Sequence, residues 1–137
     1  MAEADPSPLT LEQRRPLSPH LQIYKWSPTM AGSIAHRATG AALYAGTLLL
    51  AWYLLALAGG PDSFLTASSV FNSFLGQLVL FGYTFALMLH LFGGLRHVVW
   101  DAGHGFEPKE RDLLAWGSFV GAAVLTVLIW IAVFILR

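Results

Sequence analysis

The chain contains no cysteine, which removes disulfides, thiolate nucleophiles and cysteine-held iron–sulfur clusters from its own chemistry. Charge is scarce as well: only 12% of the 137 residues are Asp, Glu, Lys or Arg, about half the roughly 25% of a soluble domain. Eight basic residues balance eight acidic ones, so there is no electrostatic footprint for a nucleic acid or another polyanion. The first thirty residues lack the apolar core and small-residue cleavage site of a signal peptide, and the N-terminus is expected to be retained.

Apolar residues, 55% of the chain, fill the place of charge, and the mean hydropathy is +0.58. Three windows carry no charged residue at all: Ala38 to Pro61, Ser63 to Leu95, and Leu113 to Leu136. A helix crosses a bilayer with about 20 apolar residues, so each window has room for one span. The fold expected is therefore an all-α membrane protein of three transmembrane helices. An N-terminal cytoplasmic or interfacial segment, residues 1–28, precedes a membrane domain, residues 29–137, with spans at about 30–58, 76–100 and 113–136.

Within the first segment, prolines at 16, 19 and 28 exclude a continuous helix. Tyr24, Lys25 and Trp26 suit the headgroup layer as an interfacial anchor, or as a lip over a lipid-like substrate. The first span carries Ser33, His36, Arg37, Gly40 and Tyr44 at helical spacings of three and four, and small residues from Gly32 to Ala42 allow close helix approach. Gly59-Gly60-Pro61 ends it. Asp62 to Ser73 is too polar for mid-membrane and is expected to form a short interfacial helix. Glu107 to Asp112 reads as a charged connection, with Asp112 able to cap a third span that serves packing alone.

Seven of the eight basic residues (Arg14, Arg15, Lys25, Arg37, Arg96, Lys109, Arg111) fall before or at the start of span one, or around the connection between spans two and three. Positive charge stays on the cytoplasmic side, so the N-terminus is expected to be cytoplasmic, or on the matrix side in a mitochondrion. That orientation brings the Ser33–Arg37 cluster and the end of span two into the same half of the membrane.

The end of span two, from His90 to Asp101, concentrates the chemistry. His90, Gly93, Gly94, His97 and Asp101 share a helical stripe, with two glycines leaving a bare patch for a planar group such as a porphyrin, or for a neighbouring helix. A neutral imidazole is a good axial ligand for haem iron, and an unpaired buried one is costly. His90 lies deepest, about 15 Å from Trp100 at about 1.5 Å per residue. His36 reads as shallower, nearer the level of His97. Two schemes remain open on spacing alone: His36 pairs with His97 inside this chain, or His90 pairs with a histidine of a partner. His20 and His104 fall outside the spans. The cytoplasmic cluster could instead receive a quinone, with Ser33 and Arg37 donating to its carbonyl oxygens and His36 or His97 relaying protons. It could also be a structural Ser–Arg–Asp network at the helix ends.

Two stretches, taken together, resemble a known family. Arg15-Pro16-Leu17-Ser18-Pro19-His20 leading to Ser33-Ile34-Ala35-His36-Arg37-Ala38-Thr39-Gly40, and His90-Leu91-Phe92-Gly93-Gly94-Leu95-Arg96-His97-Val98-Val99-Trp100-Asp101-Ala102-Gly103, are similar to the two signatures of succinate dehydrogenase cytochrome b556 subunits. The similarity runs over about residues 14 to 137, and Ser18 to Ser27 is worded like the mitochondrial and related bacterial branch. The resemblance implies a membrane anchor of complex II, a succinate:ubiquinone oxidoreductase of the inner membrane joining the citric acid cycle to electron transport. Flavin and iron–sulfur chemistry would reside in a flavoprotein and an iron–sulfur subunit, and no residue of this chain would be catalytic. It implies haem b bound between this chain and a second anchor subunit, each contributing half of a helical bundle. His90 would ligate the haem iron, the second anchor would supply the other histidine, and His36 and Arg37 would lie near the propionates. Ser33 and Arg37 would bind ubiquinone, and His97 and Asp101 would support. The alternatives carried forward are an anchor of a quinol:fumarate reductase and a purely structural anchor.

Overall fold

A computed structural model describes residues 25–136 of the chain. Arg14, Arg15, the Pro16 and Pro19 turns, His20 and Tyr24 lie outside the described residues. The described residues form four helices and no strand: α1 (Pro28–Ala58), α2 (Pro61–Asn72), α3 (Phe74–Asp101) and α4 (Pro108–Leu136). Of these, α1, α3 and α4 are long and apolar enough to cross a membrane, with mean hydropathies of 1.8, 1.8 and 2.8. The protein is all-α, as its charge-free windows predict.

The helix boundaries follow from local chemistry. Ser27 caps α1, its side chain accepting from the Met30 amide at 3.2 Å, and Pro28 occupies the first turn, where no amide hydrogen is required. Gly60 turns the chain with φ of 98°, a conformation that side chains resist, and Pro61 starts α2 at once. Ser73 ends α2 and caps α3, accepting from the Gly76 amide at 3.1 Å. Gly76 is packed so closely beneath α2 that a methyl group there would strike the carbonyl oxygens of Val70 and Phe71. The short helix expected over Asp62 to Ser73 is thus present, folded against α1 and α3.

One boundary differs from expectation. Glu107 to Asp112 is mostly not a connection: α4 begins at Pro108, and the Arg111 amide already donates to the Glu107 carbonyl at 2.9 Å. Asp112 is not a cap. It sits inside the helix and accepts from Thr29 Oγ1 at 3.0 Å, tying the starts of α1 and α4 together. A charged first turn costs a membrane helix little where the helix projects into the headgroup layer, and Glu110 there suits the positive helix end.

The three long helices pack as neighbours, and α1 and α3 each touch all of the other helices. Within the membrane-length window 22% of α3 is buried, twice the 11% of α1 or α4. Met88, Leu89 and Ala122 form the core, with Phe85, Phe92, Phe119, Leu125 and Ile129 packed around them. Large apolar side chains such as Leu48, Leu55, Val98, Leu128 and Phe134 remain more than half exposed, a surface suited to lipid or further helices. Thr126 is fully buried on α4 and returns its hydroxyl proton to the Ala122 carbonyl at 2.7 Å, so the core contains no unsatisfied hydroxyl there.

Candidate functional site

The seam between α1 and α3 is built by exchange of side chains for empty space. Gly32, His36 and Gly40 lie four residues apart along α1; His90, Gly93 and Arg96 lie three apart along α3, which runs the other way. A methyl group at Gly40 would meet His90 Cε1 at 3.1 Å; one at Gly93 would strike the His36 imidazole; one at Gly32 would strike the Arg96 guanidinium. Each bulky polar residue therefore occupies the place of a missing side chain on the facing helix. The pattern continues deeper with the Tyr83 ring against Gly46. Small residues let helices approach closely in a membrane, and here that closeness holds ionisable groups.

At the centre the His36 and His90 rings are stacked, with centroids 4.0 Å apart and planes 11° from parallel. His90 Nδ1 lies 3.1 Å from the His36 carbonyl oxygen and 3.3 Å from Thr39 Oγ1. A carbonyl oxygen only accepts, so Nδ1 of His90 is the donor in this contact, and in the neutral ring the lone pair is then on Nε2. The Thr39 hydroxyl donates to the carbonyls of Ala35 and His36 at 2.9 Å, which leaves its lone pairs facing His90. His90 Nε2 has no hydrogen bond among the described residues, and it is not among the buried polar atoms. It reaches the surface of the helix pair with its lone pair free, the arrangement of a metal-ligating histidine whose other nitrogen is held by a backbone carbonyl.

The remaining predicted residues divide into two groups. Ser33 and Arg37 meet on the outer side of α1, where Arg37 Nη2 donates to Ser33 Oγ at 3.0 Å, and Arg37 is exposed. His97 and Asp101 are exposed on α3, Asp101 beyond the seam and His97 at its edge, with His97 edge-on to Trp100 at 5.2 Å. His104 is exposed as well.

Three expectations change. His36 lies between the levels of His90 and His97, against Gly93, its ring stacked on His90 at 4.0 Å and 5.4 Å from His97. The His36 and His97 ring planes are 51° from parallel, whereas the His36 and His90 rings are stacked. The glycine pair is not one bare patch, because the space above Gly93 is filled by His36 while a methyl group at Gly94 would meet nothing within 4 Å. The stripe itself also splits, with His90, Gly93 and Arg96 facing α1 while Asp101 is exposed beyond the seam and His97 is exposed at its edge, its ring beside His36.

The sequence places Arg96 in the second signature and on the positively charged side, without a site role. It is among the most buried residues, 2% exposed, with its guanidinium carbon 5.0 Å from the centre of the Trp100 ring. A signal was available: Gly32 and Arg96 continue the spacing that pairs His36 with Gly93. Thr39, 9% exposed beside His90, was also missed.

Comparison with known proteins gives this seam a family. Residues 12–129 match the family described as the succinate dehydrogenase/fumarate reductase transmembrane subunit. The chain belongs to that family. It is 42% identical over 121 residues to the succinate dehydrogenase cytochrome b556 subunit of Paracoccus denitrificans, covering 88% of this chain and 93% of that one. It is 45% identical over 120 residues to the mitochondrial succinate dehydrogenase cytochrome b560 subunit of Sus scrofa, covering 86% of this chain and 69% of the other. The cytochrome b556 subunit of Rickettsia felis is 36% identical over 118 residues, 86% of this chain and 92% of its own. Both halves of the α1–α3 seam lie inside every one of these extents in length, and the family is one of transmembrane subunits, in keeping with the three membrane-length helices.

Proposed function

We propose that this chain is one of two membrane anchors of a succinate:ubiquinone oxidoreductase, binding haem b together with the second anchor and helping to form the ubiquinone site. The observation that carries the haem reading is the state of His90: Nδ1–H is committed to the His36 carbonyl at 3.1 Å, and Nε2 is free at the outer edge of the seam. Support also comes from the names of the relatives, which are cytochromes b of succinate dehydrogenase. Among the described residues His90 is the histidine placed to hold the iron, and a second histidine would come from the partner anchor. Haem b, when bound, supplies a one-electron carrier inside the bilayer. The residues of this chain hold its ligand: Thr39 and the His36 carbonyl fix the His90 ring, and Gly94 leaves the adjacent surface bare.

Ubiquinone fits the outer side of α1. Ser33 and Arg37 are one turn apart, joined at 3.0 Å, and both can donate hydrogen bonds to a quinone carbonyl oxygen. Their place in the first turns of α1, at the end of the bundle that also carries Lys25, Lys109 and Arg111, supports a site near the cytoplasmic or matrix face of an inner membrane. Succinate oxidation and iron–sulfur transfer belong to a flavoprotein and an iron–sulfur subunit docked on that face. All three compared relatives are named for succinate dehydrogenase, which favours electron flow toward quinone over the quinol:fumarate alternative.

The test is a dithionite-reduced minus oxidised spectrum of the purified complex. Wild type is expected to show a b-type α-band and His90→Ala to lose it. A wild-type complex without that band overturns the haem reading and leaves a structural anchor.

A further inference from the structure

Away from the histidines, α1, α2 and α3 partly enclose a cavity of about 320 Å³, within the roughly 300–1,000 Å³ of small-ligand sites. Tyr83 closes one end: its ring fills the place of a side chain at Gly46, and its hydroxyl donates to the Leu43 carbonyl at 3.4 Å. Tyr53 and Phe71 form the other end, their rings edge-on with centroids 5.7 Å apart. Gly46 and Tyr53 are seven residues apart, so the cavity extends about 10 Å along α1 at about 1.5 Å per residue. Leu49, Leu50 and Val79 line it between those ends and are 38%, 57% and 44% exposed. The walls between the two tyrosines are thus apolar, incompletely covered by this chain, and carried on helices of membrane-spanning length.

We propose that this cavity holds one acyl chain of a membrane phospholipid with a zwitterionic headgroup, a site independent of the haem and quinone readings. Size decides against a partner helix, which with its side chains is about 10–12 Å across and too wide to enter a space of this volume. A quinone ring is a poor match, because its two carbonyl oxygens need donors and the Tyr83 hydroxyl is already committed. An acyl chain asks only for apolar walls, and the ester at its head finds one donor. The Tyr53 hydroxyl has no hydrogen bond among the described residues. Tyr53 stands six residues before Gly59, the C-cap of α1, about 9 Å from the helix end, where a tyrosine reaches toward the membrane interface. The headgroup follows from charge. Between Arg37 and Arg96 the chain has no Lys or Arg, and Asp62 is its one charged residue. Neither α2 nor the halves of α1 and α3 beside it therefore offer a cation to a net-anionic lipid.

The test places the purified complex in phosphatidylcholine vesicles containing a trace of phosphatidylcholine with a photoactivatable diazirine in one acyl chain. Cross-linked residues are located by mass spectrometry. Labelling is expected at Leu49, Leu50 or Val79, in excess of that at Leu128 and Phe134, which are exposed on α4. Val79→Trp fills the cavity from a half-exposed position and is expected to reduce labelling at Leu49 and Leu50 about tenfold, with Leu128 unchanged. Leu50→Phe, a milder filling from α1, decides the matter if Val79→Trp does not assemble. Tyr53→Phe keeps the ring and removes the donor, and it should reduce labelling several-fold, as for loss of one neutral hydrogen bond. Unlabelled phosphatidylglycerol should compete no better than unlabelled phosphatidylcholine, and stronger competition overturns the headgroup assignment. Equal labelling of the cavity and of α4 overturns the proposal, because it means exchange with bulk lipid only. So does an unlabelled cavity beside a labelled α4, which assigns its mouth to a partner subunit. Displacement of the label by short-chain ubiquinone overturns it as well and assigns the space to quinone.

Discussion

The His36 imidazole lies over Gly93, in the volume that any side chain at position 93 would fill, and from there stacks on His90 with ring centroids 4.0 Å apart. One empty position on α3 thus sets the place of a histidine on α1, and that histidine's own carbonyl holds His90. The candidate haem ligand is oriented by the helix that also carries the candidate quinone residues.

The neighbouring glycines make this dependence measurable. Gly93→Ala forces a methyl group into the His36 ring, an overpacking that costs about 1–3 kcal/mol, while Gly94→Ala projects into open space. The first variant is expected to lower the thermal stability of the purified complex and to broaden or diminish the b-type α-band. The second should match wild type within the bundle, and if it disturbs the band, the partner anchor or haem lies directly against Gly94. Equal effects of the two would contradict the seam described above.

His90 and His97 separate in the same way. His97 is exposed at the edge of the seam, with its ring against Trp100. His97→Ala is therefore expected to retain the α-band that His90→Ala loses, as read in the reduced spectrum of each complex. The opposite outcome would move the iron to His97.

For the quinone site, Ser33→Ala removes a neutral hydroxyl and Arg37→Ala a charged donor. Losses of about 0.5–1.5 kcal/mol and 1.5–3 kcal/mol correspond to roughly a several-fold and a ten- to hundredfold decrease in kcat/KM for ubiquinone. Succinate oxidation with a soluble dye should persist in both, since that chemistry would lie in other subunits. Parallel loss of dye and quinone activities would point to failed assembly instead.

How far these positions could be read beforehand depends on what each one rests on. The spans were legible because a bilayer demands long uncharged runs, and Ala38 to Pro61 or Leu113 to Leu136 can hardly be anything else. The start of α4 is not legible in the sequence because a charged run reads as a connection, whereas Lys109 to Asp112 occupy the first turns of the helix. His36, Gly93 and Arg96 required the rotation and relative height of two antiparallel helices. Periodicity shows which residues share a face but not which neighbour that face meets. Hence the stripe from His90 to Asp101 was recognised as a unit, yet it divides between α1 and the outer surface. Thr39 was invisible for the same reason: a threonine in an apolar helix is ordinary until the residue opposite is known to be a histidine.

Thr39 supplies the last prediction. Its hydroxyl lies 3.3 Å from His90 Nδ1 and donates to the carbonyls of Ala35 and His36 at 2.9 Å, so it faces the same proton that the His36 carbonyl accepts. Second neighbours of this kind fix the ring and raise the basicity of a ligating imidazole. Thr39→Val keeps the shape and removes the oxygen. The remaining bond to the His36 carbonyl should keep His90 in place, so haem content is expected to stay near wild type. A less basic imidazole donates less to the oxidised iron, so the midpoint potential should rise, and the electron paramagnetic resonance of the oxidised haem should shift with it. Thr39→Ser, which restores the oxygen, should return both toward wild type. A potential that moves equally in the valine and serine variants would mean that the methyl packing of Thr39, not its hydroxyl, positions His90.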